Sequence, residues 1–145
     1  MSAPAVAEKL GGTEVLRREV ASDLDLADAV RAGLPAEALE HLLGELRPWV
    51  GAQAAVLRVV GSERTLQRKR GGRTALSAME SDRLARLARI LVRAEDALGE
   101  PEKARRWLVR ENRALGGAAP LSLLDSDAGT EAVEQVLGRI EHGVL

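Results

Sequence analysis

Between Ser62 and Arg73 the chain sets Arg64, Gln67, Arg68, Lys69, Arg70 and Arg73 against a single acidic residue, Glu63. These side-chain types suit DNA, because arginine pairs bidentately with guanine and glutamine with adenine in the major groove. Arg64 and Gln67 are the residues expected at base edges. Arg68, Lys69, Arg70 and Arg73 are expected on phosphates, which give affinity without sequence information. Leu66 is the apolar anchor that would dock such a helix. An exposed, solvated basic helix is the alternative reading of the same residues.

Other chemistry finds little support. No Gly-x-Ser-x-Gly elbow or activated nucleophile is visible. His41 lies beside Leu42 and Leu43 and reads as a histidine at a helix boundary. Asp125-Ser-Asp127 resembles half a calcium loop without its third ligand or closing glutamate, so helix capping is the better reading. Gly11-Gly12 and Gly71-Gly72 follow no strand and precede no Gly-Lys-Ser/Thr. With no cysteine and two histidines, neither a thiol nucleophile nor a protein-only metal site is expected. The sequence therefore predicts no enzyme, no cofactor and no metal.

The 145 residues hold 46% hydrophobic and 30% charged side chains, a globular composition. Phe and Tyr are missing and only Trp49 and Trp107 are aromatic, so the core must be aliphatic. That argues against recognition of single strands or RNA by base stacking. The start lacks a basic cap and long apolar run, and the longest charge-free stretch, Ala114 to Leu124, has eleven residues broken by glycines and a proline. A cytoplasmic protein without leader or membrane segment is expected. Charge is segregated. Residues 1–47 carry five basic and nine acidic groups, a net −4. Residues 48–113 carry fifteen and eight, a net +7, and residues 114–145 carry one and five, a net −4.

No alternation of β-branched and polar residues reaches strand length, so the fold is expected to be all-α. Residues up to about Val20 have weak periodicity and suggest a mobile arm or a loosely held helix. Ser22 is a plausible N-cap for a helix stopped at Gly33, and Pro35 to Pro48 brackets the next. Ala54–Val60, Gly61 and Ser62–Arg70 have the layout of a helix-turn-helix. Ser77-Ala-Met-Glu80 has the form of a capping box, followed by the clearest helix, with Leu84, Leu87, Leu91, Ala94 and Leu98 in register and Gly99 as its stop. Pro101 restarts a helix bearing Trp107, and a last helix carries Val133, Val136, Leu137 and Ile140.

The second half carries longer motifs. Glu80-Ser-Asp-Arg-Leu-Ala-Arg-Leu-Ala-Arg-Ile-Leu91 leads to Ala94, Gly99 and Lys103-Ala-Arg-Arg-Trp-Leu108. Asn112-Arg-Ala-Leu-Gly-Gly117, Pro120-Leu-Ser-Leu-Leu-Asp125, Gly129, Val133 and Val136-Leu-Gly-Arg-Ile-Glu-His-Gly143 follow in order. This succession resembles the toxin-binding domain of the MbcA/ParS/Xre antitoxins over residues 62–145, and residues 33–61 loosely resemble their Xre-like helix-turn-helix part. Trp49 to Val60 matches a standard helix-turn-helix poorly, and Ser126 stands where the family usually has threonine.

The resemblance does not cover residues 1–20, expected from their weak periodicity to be an N-terminal arm; beyond them it implies an Xre-like helix-turn-helix DNA-binding domain at 21–76 and a toxin-binding domain at 77–145, both all-α. It implies an antitoxin of a type II toxin–antitoxin module whose partner is a RES-domain toxin consuming NAD+. Neutralisation is expected to be steric, with the end of the chain in the toxin's NAD+ cleft. Trp107, Arg139, His142, Gly143, Val144 and Leu145 are the candidate toxin contacts, although Trp107 also suits a core anchor and His142 a C-terminal cap. Autorepression on operator DNA is the expected second role, as a homodimer within a hetero-oligomeric complex, since one half-site gives little affinity. A helix-turn-helix regulator without a toxin, and a helical adaptor that binds no DNA, remain alternatives.

Overall fold

The computed structural model describes residues 2–143, which form nine α-helices and two short 3-10 turns with no strand among the described residues. The helices are α1 Ala3–Lys9, α2 Gly12–Leu16, α3 Asp23–Ala32, α4 Ala36–Glu45, α5 Ala52–Val60, α6 Glu63–Gly72, α7 Ala78–Leu98, α8 Pro101–Val109 and α9 Asp127–Glu141. The 3-10 turns, Arg113–Leu115 and Pro120–Leu123, lie between α8 and α9.

α7 is the axis. Ser77 Oγ accepts the Glu80 N–H at 3.1 Å and a Glu80 carboxylate oxygen accepts the Ser77 N–H at 2.8 Å, so the expected capping box satisfies free amides at both positions. Leu84, Leu87, Ile90, Leu91 and Ala94 are fully buried, and α1, α3, α5, α8 and α9 all pack on this helix. Each buried Leu or Ile contributes roughly 2 kcal/mol of transfer free energy, which lets an aliphatic core stand without aromatic bulk. Gly99, in the left-handed region at φ +86°, ends α7 and turns the chain back into α8. Three ion pairs ascend α7 and α9 together: Arg86 with Asp127 at 3.4 Å, then Arg93 with Glu134 at 3.1 Å and with Glu141 at 3.3 Å. The two helices therefore run in the same direction.

The turn between α3 and α4 is clamped to the start of α7. The Leu34 N–H donates to buried Ser81 Oγ at 2.8 Å, and the Leu34 carbonyl accepts the Leu76 N–H at 2.8 Å. Gly33, at φ +92°, allows this approach, since a Cβ there would overlap the Leu76 carbonyl oxygen.

The N-terminal region departs from the expected mobile arm. α1 and α2 bury Val6, Leu10 and Leu16, and Val20 is also buried. Lys9 pairs with Glu95 on α7 and lies 3.9 Å from Glu45 at the end of α4. Arg105 on α8 also pairs with Glu45, so one half-buried ionic cluster joins four helices. The boundary expected at 76/77 falls directly before α7, which packs on helices from both sides of it in sequence. Pro35 is an N-cap and not a first helical residue, and α4 ends at Glu45, three residues before Pro48.

Candidate functional site

α5, the extended residue Gly61 and α6 form the expected pair of short helices. Ser62 Oγ accepts the Thr65 N–H at 3.2 Å to cap α6, and Leu66 is fully buried, docking the helix. Arg64, Gln67, Arg68 and Arg73 are exposed. Among the described residues Arg64, Arg68 and Arg73 enter no ion pair, so their charge faces solvent.

Lys69 and Arg70 are engaged within the molecule, which departs from their expected place on phosphates. The Lys69 ammonium donates to Glu80 at 2.6 Å, and both side chains are largely buried, at 15% and 12% exposure. Arg70 is held by the Glu40 carboxylate and donates to the Gln67 side-chain oxygen at 2.9 Å. Gln67 is thereby left to offer its amide NH2, which would alter its pairing with adenine. The sequence showed the positive charges but not the carboxylates, which lie eleven and thirty residues away. Burial pushes the Glu80 carboxyl up, but the Lys69 ammonium and the Ser77 N–H outweigh it and hold the group below its ordinary value of 4.5.

The second set of candidates lies at the other end. Trp107 is half-buried on α8, packed against the core beside buried Ala104 and Leu108. Arg139, His142 and Gly143 are exposed at the end of α9, where the His142 N–H caps the helix by donating to the Gly138 carbonyl at 3.1 Å. Val144 and Leu145 lie outside the described residues. The cleft that Trp107 lines contains neither Arg139 nor His142 nor Gly143. Three of the five acids that make the last stretch negative, Asp127, Glu134 and Glu141, are matched by α7 arginines. The negative field expected there is correspondingly smaller.

Beside Trp107 opens a cleft of about 250 Å³ lined also by Leu98, Lys103, Arg106, Arg110 and Glu111. Of these neighbours Leu98 is legible in the sequence as a helix-stripe residue and Lys103 and Arg106 as part of the Lys103–Leu108 motif, but none as a candidate site residue. Part of the signal is in the sequence, since Lys103 and Arg106 are three residues apart on one face of α8, whereas Arg110 is the extended residue that follows the helix. A larger groove of about 860 Å³ runs where α1 and α3 meet α7; its Arg31 and Arg86 are paired with aspartates, and its Arg89 enters no ion pair among the described residues. His41 donates from Nδ1 to the Lys9 carbonyl at 3.1 Å, a structural role. Ser126 Oγ accepts the Gly129 N–H at 3.0 Å, the capping expected of the Asp125–Asp127 segment. Among the described residues no cluster of three His, Cys, Asp or Glu could hold a metal ion. Among the described residues no helix is long and apolar enough to cross a membrane.

Comparison with known proteins separates the two regions. A family model described as the antitoxin Xre-like helix-turn-helix domain matches residues 25–89. A second, the antitoxin Xre/MbcA/ParS C-terminal toxin-binding domain, matches residues 93–143. The meeting point falls inside α7. Among relatives, Antitoxin Xre of Photorhabdus laumondii is 38% identical over 92 residues, 62% of each protein. Antitoxin Xre of Pseudomonas putida is 35% identical over 127 residues, 86% of this chain and 76% of the relative. A Sphingobium protein named Prs ADP-ribosylating antitoxin is 27% identical over 134 residues, 86% of this chain and 83% of the relative.

Proposed function

The chain belongs to the Xre/MbcA/ParS family of antitoxins, and from that premise we propose that it neutralises a RES-domain toxin by obstructing the toxin's NAD+ cleft and represses its own operon. The observation that carries the first half is the exposed end of α9, with Arg139, His142 and Gly143 in solvent, on a helix whose other face is locked to α7 by Arg86 and Arg93. A rigid helix that presents its terminus can enter a cleft at small cost in ordering entropy. The Sphingobium relative's name supports chemistry on ADP-ribose, whose usual donor is NAD+. Arg139, His142, Gly143, Val144 and Leu145 are the proposed obstructing segment, and Trp107 a proposed contact on a second surface.

The test is growth with the toxin encoded beside this chain. Expressed alone, the toxin is expected to stop growth and drain cellular NAD+, and the full chain to restore both. A chain ending at Glu141 is expected to hold the toxin in a complex while NAD+ still falls. Unchanged NAD+ protection by the shortened chain would exclude obstruction by the tail. Toxin without effect on growth would exclude the antitoxin reading.

The regulatory half rests on α6. Arg64 is the proposed base contact, with Gln67 beside it through its amide NH2, and Arg68 and Arg73 are the proposed phosphate contacts. Binding as a homodimer would double a short half-site contact. Replacing Arg68 and Arg73 with glutamine removes two proposed phosphate contacts from each protomer, so for the homodimer the slope of log affinity against log salt is expected to fall by about 4, near one unit per contact. Mobility shifts over a salt series measure this. A slope indifferent to the change would leave α6 as a solvated face. Lys69→Gln should act instead through stability, because its ammonium faces Glu80.

A further inference from the structure

We propose that the cleft beside Trp107 is a second docking point for the toxin, and that it receives an acidic segment of that partner. The inference rests on the antitoxin reading and deepens it by naming the chemistry of the contact. One wall is the half-buried indole of Trp107 with Leu98, and the rim is Lys103, Arg106 and Arg110. Among the described residues Lys103 and Arg110 enter no ion pair, and Arg106 meets only the exposed Glu102 of its own helix, at 3.2 Å. In the other two grooves Arg31, Arg86 and Arg93 are matched by carboxylates, and Arg89 is the cation there that enters no ion pair among the described residues. Here three cations surround one apolar wall, opposed by Glu111 in the lining and by the exposed Glu102 on Arg106.

Asn112, at the cleft's edge, spends its side-chain oxygen on the Ala114 N–H at 2.9 Å, so its amide can only donate. Positive charge, donors and an indole face together fit carboxylates carried on an aliphatic or aromatic stem, with the stem on Trp107 and the carboxylates on the rim. The neighbouring 3-10 turn stiffens the edge, because the Gly117 N–H donates to the Asn112 carbonyl at 2.9 Å and the Asn112 N–H to the Ala118 carbonyl at 3.1 Å. Every residue of the cleft lies in the part matched by the toxin-binding domain, outside the part matched by the helix-turn-helix model, and α8 packs on α7 and the second 3-10 turn. A protein partner is thereby favoured over DNA.

The experiment titrates the purified toxin, inactivated in its own active site, with the full chain and with Lys103→Glu/Arg110→Glu. These two side chains enter no ion pair in the fold, so the melting temperature should hold. Affinity is expected to fall at least about tenfold at low salt, with a flatter salt dependence. Trp107→Phe, which keeps an apolar ring against the core, should lose less than the charge reversal. Unchanged affinity in the double variant overturns the proposal. Retained toxin affinity with lost binding to a duplex of the upstream DNA also overturns it and assigns the cleft to nucleic acid. Failure of the unaltered chain to bind the toxin would overturn the antitoxin reading itself.

Discussion

Gly129→Ala is expected to lower the melting temperature by roughly 10 °C, corresponding to about 3 kcal/mol for a chain of this size. Gly129 sits in the first turn of α9 and passes directly over the second 3-10 turn. A Cβ built there would overlap the Leu123 carbonyl oxygen and lie 3.0 Å from its carbon and 3.1 Å from Ser126 Oγ. None of these atoms is the loose end of a flexible side chain. Alanine would contribute up to about 1 kcal/mol of helix propensity, so the substitution would stabilise α9 if space allowed. The clash is the larger effect, and relief requires α9 to move off the turn. That shift would strain the ion pairs to Arg86 and Arg93, and the exposed end of α9 would lose its fixed direction. Thermal unfolding by circular dichroism measures the first consequence and toxin affinity the second. A melting temperature equal to that of the unaltered chain would mean that the turn yields freely.

The all-α class, α7 with its capping box, the stop at Gly99, the restart at Pro101 and the α5–α6 pair were legible because each is written in local periodicity and caps. The N-terminal helices were not. Ala3, Val6, Ala7 and Leu10 do recur at three- and four-residue steps, but two are alanines, and a stripe so thin acquires meaning only against the α7 surface it packs on. At the candidate sites the sequence supplied residue types but not their partners. Arg68 and Lys69 are adjacent in the chain, yet one faces solvent and the other a carboxylate eleven residues on. The acidity of the last stretch was equally visible, and so was the arginine series of α7, but their mutual cancellation depends on α9 lying parallel to α7. The cleft at Trp107 is not legible locally, because it forms only where Leu98 of α7 and the segment Arg110–Asn112 are brought beside the indole.

The Lys69–Glu80 pair joins the proposed DNA-reading helix to the axis of the molecule, so its loss should be felt on both sides. Glu80→Ala is expected to cost about 3 kcal/mol, as is usual when one partner of a largely buried pair is removed and the other charge is stranded. It also removes the acceptor of the Ser77 N–H at the start of α7. Glu80→Gln keeps much of the shape and isolates the charge. Because the folded protein holds this carboxyl below its ordinary value of 4.5, the folded state favours the ionised form. The stabilisation is therefore complete above the unfolded value and is lost as pH falls through the lower folded value. The stability gap between the unaltered chain and Glu80→Gln should be widest near neutrality, begin to narrow as pH falls below 4.5 and close once pH lies below the folded-state value. Urea unfolding of both proteins across that range tests this, and a gap that persists or widens in acid would contradict a stabilising ion pair. At neutral pH the glutamine variant should also bind operator DNA more weakly while still neutralising toxin. Lys69 then no longer fixes α6 against α7, whereas α8 and the far end of α9 keep their own contacts to that helix.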